Sequence, residues 1–179
     1  MYNLLDSMVS KMADDNSDYL NDILVDLAHG FEKYFQISSG KEKTSFVLHL
    51  DNAQYYIAGD AEIDNIVKFL FSLVINEDFF ADLKPTVIWV LGKILSPCSI
   101  DLLLKYLENI HDKDFDQAIA YQLLVSIDNF IYCDDGSFSR VLNKYDYMSL
   151  FDKMAPNSDD RFKDLLQDMK SYMSTRSGL

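Results

Sequence analysis

Glycine and proline are scarce in this sequence, which has six of the first and three of the second among 179 residues. Folds built from many short strands need frequent tight turns, and such turns depend heavily on these two residues. Their scarcity therefore disfavours an all-β sandwich and suits long helices. The hydrophobic share of 49% is ordinary for a soluble globular protein, and a chain of this length can form one domain with its own core.

Cysteine and long apolar runs are also rare. Cys98 and Cys133 are the only cysteines, and no uninterrupted apolar run approaches the roughly 20 residues that span a bilayer. Residues 1–6 show neither the positive region nor the apolar run of a secretory signal. We therefore expect a cytoplasmic protein with two free thiols, and the alternative is a disulfide or redox pair between the two cysteines.

Positive charge is in short supply. The 16 lysines and arginines face 29 aspartates and glutamates, which gives a formal net charge of −13. A field of this sign repels nucleic acid and anionic membranes and speeds encounter with basic proteins. We therefore expect a basic protein as the partner rather than a nucleic acid or a membrane. Solubility alone is the alternative explanation of the charge.

Side chains that carry chemistry occur singly. His29, His49 and His111 have no second histidine or cysteine at a metal-binding spacing. The run 112–116 imitates the start of a calcium loop but is followed by Gln117 where that loop requires glycine. The sequence also lacks a glycine-rich phosphate loop and a nucleophile elbow. It therefore predicts no catalytic residue, no metal and no cofactor, and a protein that is not an enzyme.

The sequence pattern of one helical pair is repeated between residues 63 and 131. Residues 63–70, IDNIVKFL, match residues 100–107, IDLLLKYL, at a spacing of 37. The apolar positions that follow superpose at a spacing of 36: Phe79, Ile88, Leu91 and Leu95 correspond to Phe115, Leu124, Ile127 and Ile131. A period in this range is typical of stacked helix pairs, the α-solenoid architecture, which usually presents a long surface to a partner.

The helical pattern extends beyond the two clear repeats at 60–96 and 97–133. A short helix is predicted near residues 4–12, and looser helix pairs are predicted at 17–58 and 138–174. No linker or low-complexity segment divides the chain. We therefore predict that residues 1–179 form a single helical-repeat domain.

Residues 44–58 are the ambiguous part of the first looser pair. Alternate residues are apolar from Phe46 to Leu50, as in a strand. Over a longer window the apolar residues follow the 3.6-residue period of a helix: Phe46, Val47, Leu50, Ala53 and Ile57. The longer window favours a helix, so the predicted fold is all-α, a short right-handed α-solenoid.

The second helix of the first repeat, residues 82–94 (DLKPTVIWVLGKI), resembles the second helix of a HEAT-type repeat. Helices of that kind often begin near a proline, here Pro85, and continue with a spaced aliphatic stripe. They often end in a phrase similar to A-L-G-x-I, which residues 90–94, VLGKI, fill here. The resemblance implies HEAT-like helix pairs, and Gly92 suits the close approach of a neighbouring helix.

In HEAT-like proteins the second helices usually line the concave face, so the resemblance implies a partner surface there. The polar and aromatic residues on that side of the two helices are Thr86, Trp89, Lys93, Gln117, Tyr121, Asp128 and Tyr132. Acidic residues at the loop ends would extend the surface: Asp82, Asp112, Asp114, Asp116, Asp134 and Asp135. The alternative is a plain solvated helix face, with the lone Trp89 in the core.

A small, acidic helical protein of this kind resembles the immunity proteins that protect bacteria from toxins delivered by neighbouring cells, as in contact-dependent growth inhibition. The resemblance implies a monomer that binds a basic toxin, often a nuclease, in a one-to-one complex and neutralises it. A scaffold or regulatory subunit is the first alternative, and it would expose a larger, less polar surface. A HEAT-like DNA glycosylase is the second, but it needs a basic groove, and this chain has only three arginines.

Overall fold

The structure is a computed structural model that describes residues 4–11, 16–38, 46–50, 53–110, 116–133 and 136–177. Within these ranges two strands, β1 (Phe46–Leu50) and β2 (Ala53–Ile57), accompany nine α-helices. The helices are α1 (Leu4–Lys11), α2 (Ser17–Ser38), α3 (Asp60–Ile75), α4 (Lys84–Lys93), α5 (Pro97–Asn109), α6 (Gln117–Tyr132), α7 (Ser139–Leu142), α8 (Tyr147–Met154) and α9 (Asp160–Ser177). The predicted helical character is therefore confirmed, with a small two-stranded sheet as an addition.

Short polar side chains start several of these helices, because they satisfy backbone amides that have no partner inside the helix. The Ser96 hydroxyl accepts a hydrogen bond from the amide of Ser99 at the start of α5. Asp116 caps α6 by accepting hydrogen bonds from two amides of its first turn, at 2.8 and 3.0 Å. The starts of α5 and α6 therefore follow from the local sequence.

Helices α2, α4, α6 and α9 lie side by side in one row, each packed against the next. Between α2 and α4, Thr86 donates a hydrogen bond to Asn21, and Lys93 donates one to Glu32. Residue numbers thus rise in the same direction along both helices, which makes them parallel neighbours. The same holds for α4 with α6 and for α6 with α9.

Gly92 allows α4 and α6 to approach closely, as its place in the sequence predicts. A Cβ added to Gly92 would lie 2.9 Å from the Cα of Ser126, nearer than real side chains come to a backbone. Across this contact the Ser126 hydroxyl donates to the carbonyl of Ile88 at 3.1 Å, and the Asn129 Nδ2 donates to the carbonyl of Gly92 at 2.9 Å. Asn129 follows Gly92 by 37 residues, so residues one repeat apart are neighbours in space.

A second row contains α1, α3 and α5, with α7 and α8 packed on α5. The ring of Phe71 in α3 meets that of Tyr106 in α5 edge to face, with centroids 6.1 Å apart. The aliphatic residues that match between α3 and α5 are all buried: Ile63, Ile66, Val67 and Leu70 in α3, and Ile100, Leu103, Leu104 and Leu107 in α5. The core therefore lies between the two rows of helices.

The prediction of a helix over residues 44–58 is wrong, because β1 and β2 form an antiparallel hairpin there. The register pairs Val47 with Tyr56 and Leu48 with Tyr55. Leu48 and Tyr55 are buried, whereas Val47 and Tyr56 are exposed. This two-residue alternation is the pattern of a strand with one face on the core.

The hairpin is anchored to the first two helices. The side chain of Leu48 lies against Gly30 of α2, and the hydroxyls of Tyr55 and Ser7 are hydrogen-bonded at 2.7 Å. The described residues of the segment 17–58 consequently form one helix and a hairpin rather than a pair of helices.

The first half of the looser pair at 138–174 is divided into two short helices, α7 and α8, before α9. The Tyr145 hydroxyl, between α7 and α8, donates to Asp101 Oδ1 of α5 at 2.8 Å. Lys105 donates to the other oxygen of Asp101 at 2.6 Å. Burial and the hydrogen bond to Asp101 raise the pKa of Tyr145 to about 12. This contact ties the segment between α7 and α8 to the second repeat.

Two further observations concern the described part of the chain. None of its helices combines the length and the apolar composition that a membrane crossing requires. Its His, Cys, Asp and Glu side chains form no cluster of three or more that could hold a metal ion.

Candidate functional site

Two adjoining clefts open on the surface of the row formed by α2, α4 and α6. The first, of about 230 Å³, is lined by residues of α4 and α6: Trp89, Gly92, Lys93, Val125, Ser126, Asp128, Asn129 and Tyr132. The second, of about 360 Å³, is lined by Glu32, Phe35, Lys93, Leu95, Asn129, Tyr132 and Cys133. Because Lys93, Asn129 and Tyr132 line both, the clefts form one continuous surface, here named the α4–α6 groove.

Residues of α2 hold the α4 wall of the groove in place. The ring of His29 meets that of Trp89 edge to face, with centroids 5.8 Å apart. The Lys93 Nζ lies 2.7 Å from the Glu32 Oε1, and both side chains are partly shielded from solvent. The positive charge of Lys93 is thus balanced by a carboxylate inside the groove.

The α6 wall carries Asp128, Asn129 and Tyr132. Tyr132 follows Asp128 by four residues and Asn129 by three, so it lies next to both on one side of the helix. Asn129 is fixed by its hydrogen bond to the carbonyl of Gly92. Tyr132 is 72% exposed, yet its ring centroid lies 5.7 Å from that of Tyr172 in α9. The contact holds an exposed aromatic ring at the rim of the groove.

Asp128 is a half-buried carboxylate in the wall of the groove. Burial raises the pKa of Asp128 above its ordinary value, and the nearby carboxylate of Asp168 on α9 raises it further. Among the described residues, no hydrogen bond or ion pair is made to the Asp128 carboxylate. A half-buried carboxylate with a second one beside it attracts a cation from outside the protein.

Gln117 and Tyr121 belong to a different cleft, of about 490 Å³, where α6 and α9 begin. There the Arg161 guanidinium lies 5.6 Å from the centroid of the Tyr121 ring and 3.0 Å from the Asp159 carboxylate. The hydrogen bond from the backbone of Phe162, followed by the interaction with Arg161, lowers the pKa of Asp159. In this separate cleft the positive charge of Arg161 is therefore balanced by the carboxylate of Asp159.

The residues predicted to bind a partner thus separate into different places. Trp89, Asp128 and Tyr132 line the α4–α6 groove, whereas Gln117 and Tyr121 line the separate cleft at the start of α6 and α9. Asp82 is exposed in a 3₁₀ helix before α4, and Asp116 uses its carboxylate to cap α6. The remaining predicted residues lie outside the described part of the chain: Asp112, Asp114, Asp134 and Asp135.

The sequence did not indicate what the neighbouring helices contribute. From α2, His29 contacts the ring of Trp89 and Glu32 pairs with Lys93. From α9, the charge of Asp168 acts on Asp128, and the ring of Tyr172 lies beside that of Tyr132. The only available signal was the i, i+3 spacing of His29 and Glu32 on one helix face. Which helix that face would meet depends on the tertiary packing.

Both cysteines are free thiols in the structure. Burial raises the pKa of Cys98 and of Cys133, although Lys93 acts to lower the latter. Cys133 is exposed and lines the second part of the α4–α6 groove. The two thiols have different surroundings, because Cys98 interacts with charged groups of α3 and α5 instead.

Comparison of this chain with protein-family models, with curated proteins and with solved structures finds no match.

Proposed function

We propose that this protein is a binding inhibitor of the immunity type, which neutralises a basic bacterial toxin domain, such as a nuclease. It engages the toxin through the α4–α6 groove in a one-to-one complex, acts in the cytoplasm and performs no catalysis of its own. The observation that carries the proposal is the exposed ring of Tyr132 beside the uncompensated carboxylate of Asp128, on a chain with a net charge of −13. Exposed aromatic residues anchor protein interfaces, and charge complementarity selects the partner.

The proposal extends to the arrangement of the helices, a short right-handed α-solenoid of HEAT-like pairs whose second helices form the binding face. Two observations support it. The helices α2, α4, α6 and α9 are parallel neighbours in one row, and the hydrogen bond from Asn129 to Gly92 joins residues one repeat apart. Rows of this kind offer an extended surface to a single large partner.

The alternative, a scaffold or regulatory subunit of a larger assembly, has one observation in its favour. Val47 and Tyr56 are paired across the hairpin and are 51% and 43% exposed. A paired apolar and aromatic surface of this kind fits a less polar contact that salt would not weaken. It lies on the hairpin and not on the α4–α6 groove, so the two functions can be separated by mutation.

Affinity capture from the source cell tests the proposal. The tagged protein is used at low and at high salt, together with Tyr132→Ala in the groove and Tyr56→Ala on the hairpin as a matched control. We expect one small basic protein at equal stoichiometry, weakened by salt, lost with Tyr132→Ala and kept with Tyr56→Ala. Its activity should be silenced by adding the wild-type chain. A salt-resistant, multi-component complex that depends on Tyr56 would overturn the inhibitor proposal and support the scaffold.

A further inference from the structure

We propose that the first cleft of the α4–α6 groove seats a single arginine side chain of the partner, with its guanidinium group on Asp128 and against the rings of Trp89 and Tyr132. This inference rests on the proposed function, since it names the chemistry by which a basic partner is recognised.

The size of the cleft suits one side chain. Its volume of about 230 Å³ is below the range of about 300–1,000 Å³ that is usual for clefts holding a small-molecule ligand. It exceeds the space of a few water molecules, each of which occupies about 30 Å³ in the liquid. An extended, slender side chain that enters from a partner surface therefore fits it better than a free metabolite.

The charge of the cleft selects a cation. Lys93 lines the cleft, but its charge is balanced by Glu32 at 2.7 Å. Asp128, which lines the same cleft, has no such partner among the described residues, and the negative charge of Asp168 on the adjacent helix α9 acts on it. One incoming positive charge would relieve the repulsion between these two carboxylates and would replace the water that burial removes from Asp128.

The walls of the cleft favour arginine over lysine. Trp89 is half-buried, and its position is set by the edge-to-face contact with His29. Tyr132 stands at the opposite helix, exposed and supported by Tyr172. A planar guanidinium can stack on aromatic faces and donate two parallel hydrogen bonds to one carboxylate, which an ammonium group cannot do.

A spectroscopic titration tests this assignment without knowledge of the partner. Trp89 is the only tryptophan of the chain, so its fluorescence and its indole NMR signal report on this cleft alone. The probe is the blocked peptide acetyl-Gly-Arg-Gly-amide, compared with the same peptide carrying citrulline, a neutral analogue of arginine of the same shape. We expect a saturable change with the arginine peptide and a dissociation constant on the order of 1–10 mM, as befits one charged contact with stacking.

Two variants identify the groups involved. Asp128→Asn and Tyr132→Ala should each weaken binding of the arginine peptide by about tenfold, since each removes one part of the cation site. Asp78→Asn, which makes the same change of charge at an exposed residue in the connection between α3 and α4, should leave it unaltered. Circular dichroism of each variant checks that the fold is retained.

Each possible result of the titration supports or overturns the arginine assignment. Binding of the arginine peptide that fails with citrulline and with Asp128→Asn supports the inference. Equal responses to arginine and citrulline, equal binding by wild type and Asp128→Asn, or no response at ten times the expected dissociation constant overturns it. If the titration fails but affinity capture still yields a basic partner that depends on Tyr132, only the arginine assignment is overturned. If the titration succeeds but the capture yields no such partner, only the inhibitor function is overturned.

Discussion

Gly92 of α4 packs directly against Ser126 of α6, and the absence of a side chain at residue 92 is what lets the two helices stack. A Cβ at Gly92 would lie 2.9 Å from the Cα of Ser126, and two hydrogen bonds cross the same contact. The groove depends on this packing, because Trp89 and Lys93 stand on one helix and Asp128 and Tyr132 on the other.

Replacing Gly92 with alanine is expected to lower the free energy of unfolding by about 1–3 kcal/mol, because the added methyl group displaces the backbone of α6. Gly30→Ala is the matched control. Gly30 is also helical, but a Cβ there meets only the side chain of Leu48 and no backbone atom of another element. We expect a change in the free energy of unfolding of less than about 1 kcal/mol, because the better helix propensity of alanine offsets part of the cost of moving that side chain. Urea denaturation measures both, and equal losses would contradict the role given to the close helix contact.

Replacing Asp128 with asparagine is expected to stabilise the free protein at pH 7 while it weakens partner binding. The pKa of Asp128 is raised in the folded state by burial and then by Asp168, so the charged form is less favourable in the folded chain than in the unfolded chain. The penalty is present above the raised pKa and disappears as the pH falls from that value through the ordinary 3.8. The charged group that acts on Asp128 is Asp168 on α9. Lys93 of α4 lines the same cleft but is paired with Glu32 of α2.

Thermal unfolding of wild type and Asp128→Asn over a series of pH values checks this expectation. The variant should have the higher melting temperature at pH 7, and the difference should shrink towards acid pH. Asp78→Asn serves again as the control for a change of net charge. An Asp128→Asn protein that is less stable than wild type at pH 7 would show that the carboxylate makes a favourable contact in the folded chain.

Replacing Tyr145 with phenylalanine is expected to destabilise the protein by about 1–2 kcal/mol, because it removes a hydrogen bond to a charged acceptor. Its hydroxyl donates to Asp101 at 2.8 Å. Burial alone would raise the pKa of Asp101, but the hydrogen bonds from Lys105 and Tyr145 outweigh it and lower that pKa. Tyr132→Phe is the control, since no hydrogen bond of the Tyr132 hydroxyl occurs in the described structure. Denaturant titration that shows equal stability for the two variants would contradict the importance of the Asp101 contact.

Attaching a bulky maleimide to Cys133 is expected to block partner binding, because this thiol lies in the second part of the α4–α6 groove. The same label on Cys98 should leave binding intact, since that thiol interacts with α3 and α5 instead. Both thiols should react more slowly than a free cysteine, as their pKa values are raised. The test uses Cys98→Ser and Cys133→Ser, each labelled at its remaining thiol. Unimpaired binding after labelling at Cys133 would place the interface elsewhere.

The helices of this fold were predictable because their signals are local. The apolar period fixes α3 and α5, and Ser96 and Asp116 mark where α5 and α6 begin. The hairpin was not predictable in the same way, because residues 46–57 satisfy both a strand and a helix period over so short a window. Distant contacts accompany the strands, such as the hydrogen bond of Tyr55 with Ser7, 48 residues away.

The site was predictable only where a single helix carries it. The stripe of α6 indicated Asp128 and Tyr132, and that of α4 indicated Trp89. Glu32 could not be identified from the repeat period. The hairpin inserted between α2 and α3 places it 61 residues from its partner Lys93, whereas neighbours in the clear repeats are 37 residues apart. The stacking of a helix beyond such an insertion cannot be read from a sequence period.

The most direct test of the central claim is calorimetry of the captured partner with this protein over a series of salt concentrations, for wild type and Asp128→Asn. We predict one partner per chain, an affinity that falls steadily as salt rises, and a loss of about 30-fold or more for Asp128→Asn at low salt, as for one member of a buried charge pair. An affinity that is independent of salt and the same for both proteins would contradict recognition of a basic partner through the α4–α6 groove.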